Sequence, residues 1–182
     1  MKQYIAFLKG INLGKRRPPM SQLKALFEEI GFTKVETFIA SGNVLFSTGE
    51  KGEVKLESRI AKHLASALGY EVETFVRTAD AVTKIGRAKL FPEDGQDGIT
   101  IHVGFLQQEL PKEIAKRLTA ITTDHDEFRV LDREYYWLCR IRTSDSEVWK
   151  LPAIKSLKLP TATLRNMSSI RKLIAKHLVS ST

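Results

Sequence analysis

The chain has 182 residues, 42% of them hydrophobic and 27% charged, with 11 Gly and 6 Pro. A chain of that length buries about two-thirds or more of its unfolded surface, so collagen-like, low-complexity and natively disordered classes are excluded. Twenty-nine Lys and Arg against 21 Asp and Glu give a net charge of +8, concentrated at the two ends. Lys2, Lys9, Lys15, Arg16 and Arg17 come before residue 20 with no acid among them. Lys150, Lys155, Lys158, Arg165, Arg171, Lys172 and Lys176 close the chain, again with no acid, so the middle is net acidic. One cysteine, Cys139, permits no internal disulfide and no Cys-rich metal framework. The first apolar run, Tyr4 to Leu8, stops at Lys9, well short of the ~20 residues of a membrane span. A cytoplasmic location without membrane association is the expectation.

Gln3 to Leu8 is apolar at nearly every position, as suits a central strand covered on both faces. After a basic loop, Lys9 to Pro19, Ser21 is placed to cap a helix to about Ile30, with Leu23, Leu26, Phe27 and Ile30 at helical spacing and Gly31 as the stop. Lys34 to Ala40 and Asn43 to Ser47 read as a hairpin around Ser41 and Gly42. A helix over Gly52 to Leu68 carries Leu56, Ile60, Leu64 and Leu68 on one stripe, and a strand follows over Glu71 to Val76. This order, βαββαβ, is ferredoxin-like. Thr78 is expected to cap a connecting helix from Ala79 to Lys89, and the loop Pro92 to Gly98 is the expected junction.

The pattern then begins again. Ile99 to Phe105 alternates as a strand, Pro111 to Ile121 reads as a helix, and Glu127 to Leu131 pairs with Glu134 to Arg142. A helix near Pro152 to Leu157 completes βαββα, and a last helix, Ser168 to Leu178, aligns Ile170, Leu173, Ile174 and Leu178. The fold class expected is therefore α+β, two ferredoxin-like βαββαβ-type halves joined into one compact unit. Residues 1–95 form the first half with its connecting helix, and residues 96–182 form the second with the C-terminal helix. No sequence repeat accompanies this duplication, which rests on element order alone.

In a βαββαβ half, chain direction brings the end of the first strand and the hairpin turn to the same edge of the sheet. Lys9, Gly10, Asn12 and Gly14 are thus expected beside Ser41, Gly42 and Asn43. Glycines let backbone approach a ligand, Lys9, Asn12, Ser41 and Asn43 offer donors, and a following helix start favours an anion. The competing reading is that the glycines only turn the chain and that Asn12 and Asn43 cap those turns.

The runs FLKGINLGK (Phe7 to Lys15), FIASGNVLFS (Phe38 to Ser47) and TLRN (Thr163 to Asn166) resemble the mainly bacterial family known as domain of unknown function 1697. The resemblance spans nearly the whole chain. It implies an α+β fold of two ferredoxin-like parts and a cytoplasmic protein, and it brings no particular reaction. Two positions depart from the family's pattern: Met167 follows the Arg-Asn pair where members commonly carry Trp, and Trp149 stands where members tend to have the Ser of Ser-Lys-Leu.

Sharper chemistry is thinly represented. Gly10 to Arg16 has three residues between its glycines where a P-loop needs four, and Arg16 where Ser or Thr should follow the Lys. An RNA-recognition sheet displays aromatics on its first and third strands, whereas Asn43 and Leu45 occupy the third. Ser41 lacks a nucleophile-elbow context. Cys139 alternates with Tyr135, Trp137 and Ile141, as a core thiol would. His63, His102, His125 and His177 share no ligand spacing, so neither a metal nor a cofactor is indicated. His102, placed on the polar side of its strand with Thr100, is the histidine most suited to a pocket.

Three functions follow as expectations. The first is binding of a small anionic ligand, phosphate- or carboxylate-bearing, by Lys9, Gly10, Asn12, Gly14, Ser41, Gly42, Asn43, Arg165 and Asn166, with Arg165 able to grip it in bidentate fashion. The second is non-specific nucleic-acid or polyanion binding through the basic ends. The third is an enzyme whose acid or base is His102. Sequence leaves the oligomeric state open.

Overall fold

The computed structural model describes residues 1–38 and 42–179. Strand β1 (Lys2–Lys9) is buried without a break from Tyr4 to Leu8, the mark of a strand with neighbours on both edges and cover on both faces. Its neighbours are β3 (Asn43–Thr48) and β4 (Glu73–Thr78), both antiparallel, and β2 (Thr33–Phe38) extends the sheet beyond β3. The order is β2-β3-β1-β4. Helices α1 (Met20–Glu29) and α2 (Glu53–Leu68) are the crossovers, so the expected ferredoxin-like unit is complete.

Helix α1 begins differently from the reading of its sequence. Ser21 lies inside the helix and makes no cap; the N-cap is Pro19, whose carbonyl accepts from the Leu23 N–H at 3.1 Å. Proline presets its own φ and holds the residue before it extended, so Pro18 and Pro19 deliver a backbone that turns helical at Met20 before a hydroxyl is needed. Leu23, Leu26 and Phe27 of α1 and Leu56, Ile60 and Leu64 of α2 then pack on Ala6, Val44 and Phe46 of the sheet. Phe32 stacks on Phe46 with ring centroids 4.4 Å apart. Each such large side chain contributes roughly 1.5–3 kcal/mol of burial. Helix α2 stops at Gly69, as expected.

Thr78 caps α3 (Ala79–Arg87), its Oγ1 accepting from the Ala81 N–H at 3.1 Å. The chain divides within this helix into two compact units, Met1–Ile85 and Gly86–Val179. The loop Pro92 to Gly98 falls inside the second, where the Arg171 guanidinium grips both oxygens of Asp94, at 2.7 and 2.6 Å.

The second unit is built from β5 (Thr100–Phe105), α4 (Lys112–Ala120), β6 (Asp126–Leu131), β7 (Glu134–Cys139), α5 (Pro152–Lys155) and β8 (Thr163–Asn166). The strand order β6-β7-β5-β8 repeats that of the first unit. Strand β8 carries the TLRN run and supplies the final β, the fourth strand of the unit, that element order in the sequence left out. Helix α6 (Met167–Leu173) follows it and continues as a π-helical turn, Ile174–Leu178. The core gathers Leu118, Phe128, Tyr135, Trp137, Cys139, Val148 and Ile154. Trp149 stands edge-on to Phe128 and Trp137, at 5.5 and 5.4 Å. Gly104 leaves the space that the Tyr135 ring fills. Cys139 is the core thiol expected: fully buried, donating to the Ile141 carbonyl at 3.3 Å, with burial raising its pKa.

Candidate functional site

Beyond β1 the chain turns at Gly10, and Ile11 points back into the core. Two contacts from Tyr70 hold this loop. Its hydroxyl donates to the Ile11 carbonyl at 3.0 Å, and its ring lies 4.7 Å beneath the Arg16 guanidinium. A tight turn through Gly14, closed by the Arg16 N–H on the Leu13 carbonyl at 2.9 Å, shapes the tip.

The hairpin turn meets this loop, as chain direction requires. The Leu8 N–H donates to the Gly42 carbonyl at 2.8 Å. A Cβ on Gly42 would stand 2.9 Å from Ile11 Cγ2 and 3.2 Å from Leu8 Cβ, and Gly42 also takes φ +78°. Only glycine permits that approach. Asn43 is buried, and its Nδ2 donates across the hairpin to the Phe38 carbonyl at 2.9 Å. Ser41 lies outside the described residues. Lys9 is exposed, opposite Glu73 in register.

A cleft of about 360 Å³ opens where these segments meet, lined by Ile11, Asn12, Arg17, Pro18, Pro19, Met20, Leu23 and Gly42. Among the described residues no Asp or Glu lines it. Of the expected site residues, Asn12 and Gly42 are in its wall, whereas Lys9, Gly10, Gly14 and Asn43 do not line it. The first turn of α1 holds no acidic residue and its N-cap offers no side chain, so the positive end of the helix is not offset from within. The sequence reading counted Arg17 only in the basic N-terminal end, not in the site, and missed Tyr70 altogether. Lys15, Arg16 and Arg17 look alike in composition, yet Arg16 lies on Tyr70 while Arg17 lines the cleft. The available signal was Pro18, which restricts the backbone of the residue before it and so fixes how Arg17 is presented.

Arg165 and Asn166 stand on β8 of the second unit. In register, Arg165 faces Val103 and Asn166 faces His102. Successive strand residues leave opposite faces of a sheet, so these two side chains diverge. The Arg165 guanidinium donates to Thr163 Oγ1 at 2.8 Å and to the Leu164 carbonyl at 3.0 Å, and burial brings its pKa down to about 10. Asn166 caps α6, its Oδ1 accepting from the N–H and hydroxyl of Ser168 at 2.9 and 2.8 Å. Met167, where the family's Trp would stand, is buried.

His102 shares a strand face with Thr100, both half-buried, while Ile101 and Val103 on the other face are buried. His102 is paired in register with Trp137, and the two rings stack with centroids 5.1 Å apart. The Trp137 ring covers this side of the imidazole, so the polar neighbour Thr100 does not mark an open pocket. Its Nδ1 is buried with no hydrogen-bond partner among the described residues, and desolvation lowers its pKa.

On the central strands of the first unit's sheet, Ile5, Phe7, Leu45 and Phe75 are all fully buried, so the rings of Phe7 and Phe75 are closed to a base. Among the described residues no cluster of three or more His, Cys, Asp or Glu is placed to hold a metal ion. Among them, too, no helix is long and apolar enough to cross a membrane.

No curated protein matches the chain. Among solved structures, conserved bacterial protein SP0830 from Streptococcus pneumoniae is similar, with a TM-score of 0.76 and 18% identity over 98% of this chain and 99% of that one. At that identity the likeness is one of fold. Residues 1–136 match the family described as Protein of unknown function (DUF1697). With well over half its length matched, and with the strand order and loop motifs described above, the chain belongs to the DUF1697 family.

Proposed function

We propose that the protein binds a small anionic ligand, phosphate- or carboxylate-bearing, at the loops that close one end of the first unit's sheet. The observation that carries this reading is the cleft itself: a guanidinium, Arg17, and an amide, Asn12, line it beside the first turn of α1, with no carboxylate among the described lining residues. The backbone around it is fixed by Tyr70 and by the Leu8–Gly42 bond, so little ordering is left for binding to impose. The polyanion reading is the weaker one. Part of the C-terminal basic run is spent on internal partners: Arg171 on Asp94 at 2.6 Å and Lys150 on Glu147 at 2.9 Å.

Titration of the ¹⁵N-labelled full chain with inorganic phosphate tests the reading. Amide shifts are expected over residues 10–23 and at Gly42. Arg17→Ala is expected to weaken binding about tenfold or more, since a hydrogen bond to a charged group is worth ~1.5–3 kcal/mol. Shifts spread over both basic ends, with affinity collapsing as salt rises, would favour the polyanion reading instead.

A further inference from the structure

We infer that this cleft takes an organic anion with an apolar body, an aryl or short alkyl monophosphate or carboxylate, in preference to a bare inorganic ion or a polyphosphate. The inference rests on the anion reading above. Of the described side chains that line the cleft, those of Ile11, Pro18, Pro19, Met20 and Leu23 are apolar, and Asn12 and Arg17 are the polar ones. Burial sorts them by depth. Ile11 and Leu23 are 4% and 2% exposed and so form the inner wall, whereas Asn12 and Arg17 are exposed and stand at the rim.

A bare phosphate pressed against that inner wall would lose water and gain no hydrogen bond in return. A ligand whose anionic end meets Arg17 and whose carbon skeleton covers Ile11 and Leu23 loses nothing by the same move. The charge count agrees. Among the described residues Arg17 is the one cation in the lining, enough for a single anionic group and too few for a chain of phosphates. Size agrees as well, since about 360 Å³ falls at the small end of pockets that hold compact organic ligands, roughly 300–1,000 Å³.

The test uses the full chain, labelled at amide nitrogens and at Ile and Leu methyls, with phenyl phosphate, benzoate and inorganic phosphate as probes. Phenyl phosphate or benzoate is expected to bind at least tenfold more tightly than inorganic phosphate, with ring protons giving NOEs to the Ile11 and Leu23 methyls. Whichever of the two binds more tightly identifies the anionic group, and either result supports the inference. Arg17→Ala should reduce that affinity about tenfold, while Lys15→Ala, outside the lining, leaves it unchanged. Equal affinity for the organic and inorganic probes, with shifts at Asn12 and Gly42, would overturn the apolar-body inference and leave anion binding standing. Tight binding without NOEs to Ile11 and Leu23 overturns it too. Failure of all three probes to bind, or binding indifferent to Arg17→Ala, overturns both readings.

Discussion

Gly42 meets two demands at once, a positive φ and a Cα packed against Ile11 and Leu8. Gly42→Ala should therefore cost about 1–3 kcal/mol, from backbone strain and overpacking together. It should also disturb the cleft, because the neighbour that must give way is Ile11. Urea denaturation reads the first effect and amide shifts at Asn12 the second. His102 makes a different kind of prediction. In the unfolded chain its imidazole titrates near the ordinary 6.5, whereas burial against Trp137 holds the folded value lower. Between those values the unfolded state carries the extra proton. Its contribution is thus fully present above about pH 6.5 and is lost as the pH falls toward the folded pKa. His102→Phe keeps a ring on Trp137 and removes the proton. Urea midpoints at about pH 7.5 and about pH 5.5 should fall further for the wild type than for the variant, and parallel profiles would contradict the assignment.

Between elements, the tie of most consequence in the first unit is Glu57 of α2. Its Oε1 accepts from the Val76 N–H at 2.9 Å and stands 3.5 Å from the Arg77 guanidinium, with both side chains under 5% exposed. Helix α2 is thereby fastened to β4 by charge as well as by its apolar stripe. Glu57→Ala takes the carboxylate away from a buried cation and should cost about 3–5 kcal/mol, and Glu57→Gln, which keeps an acceptor for Val76, should cost less. Denaturant midpoints of the two variants check the order. None of this was legible in the sequence, where Glu57 reads as one more polar position on an amphipathic helix. The helices and seven of the eight strands were legible, because their apolar periodicity is strong. Strand β8 was not: its four residues are buried at one end and exposed or half-buried thereafter, and it exists through pairing with β5, some sixty residues earlier in the chain. The start of α1 was misread for a related reason, since the two prolines outweigh the nearest hydroxyl.

Across the molecule, the two units share one strand order without a visible sequence repeat. Order of elements is constrained by chain direction and crossover geometry, whereas sequence is free to drift once each core is filled. The same logic explains what could be read of the candidate site. That the loop after β1 meets the hairpin turn follows from topology alone. Which basic side chain lines the cleft depends on Tyr70, dozens of residues further along, which takes Arg16; Pro18, next to Arg17, is the one local hint. The second unit has an asymmetry of its own. Both tryptophans of the chain, Trp137 and Trp149, sit there, edge against face. Indole emission is consequently a beacon for residues 86–179 and blind to the other ninety or so, which carry only tyrosine and phenylalanine. Melting followed by that light, laid over melting followed by circular dichroism, would tell whether the halves come apart in one step or in succession.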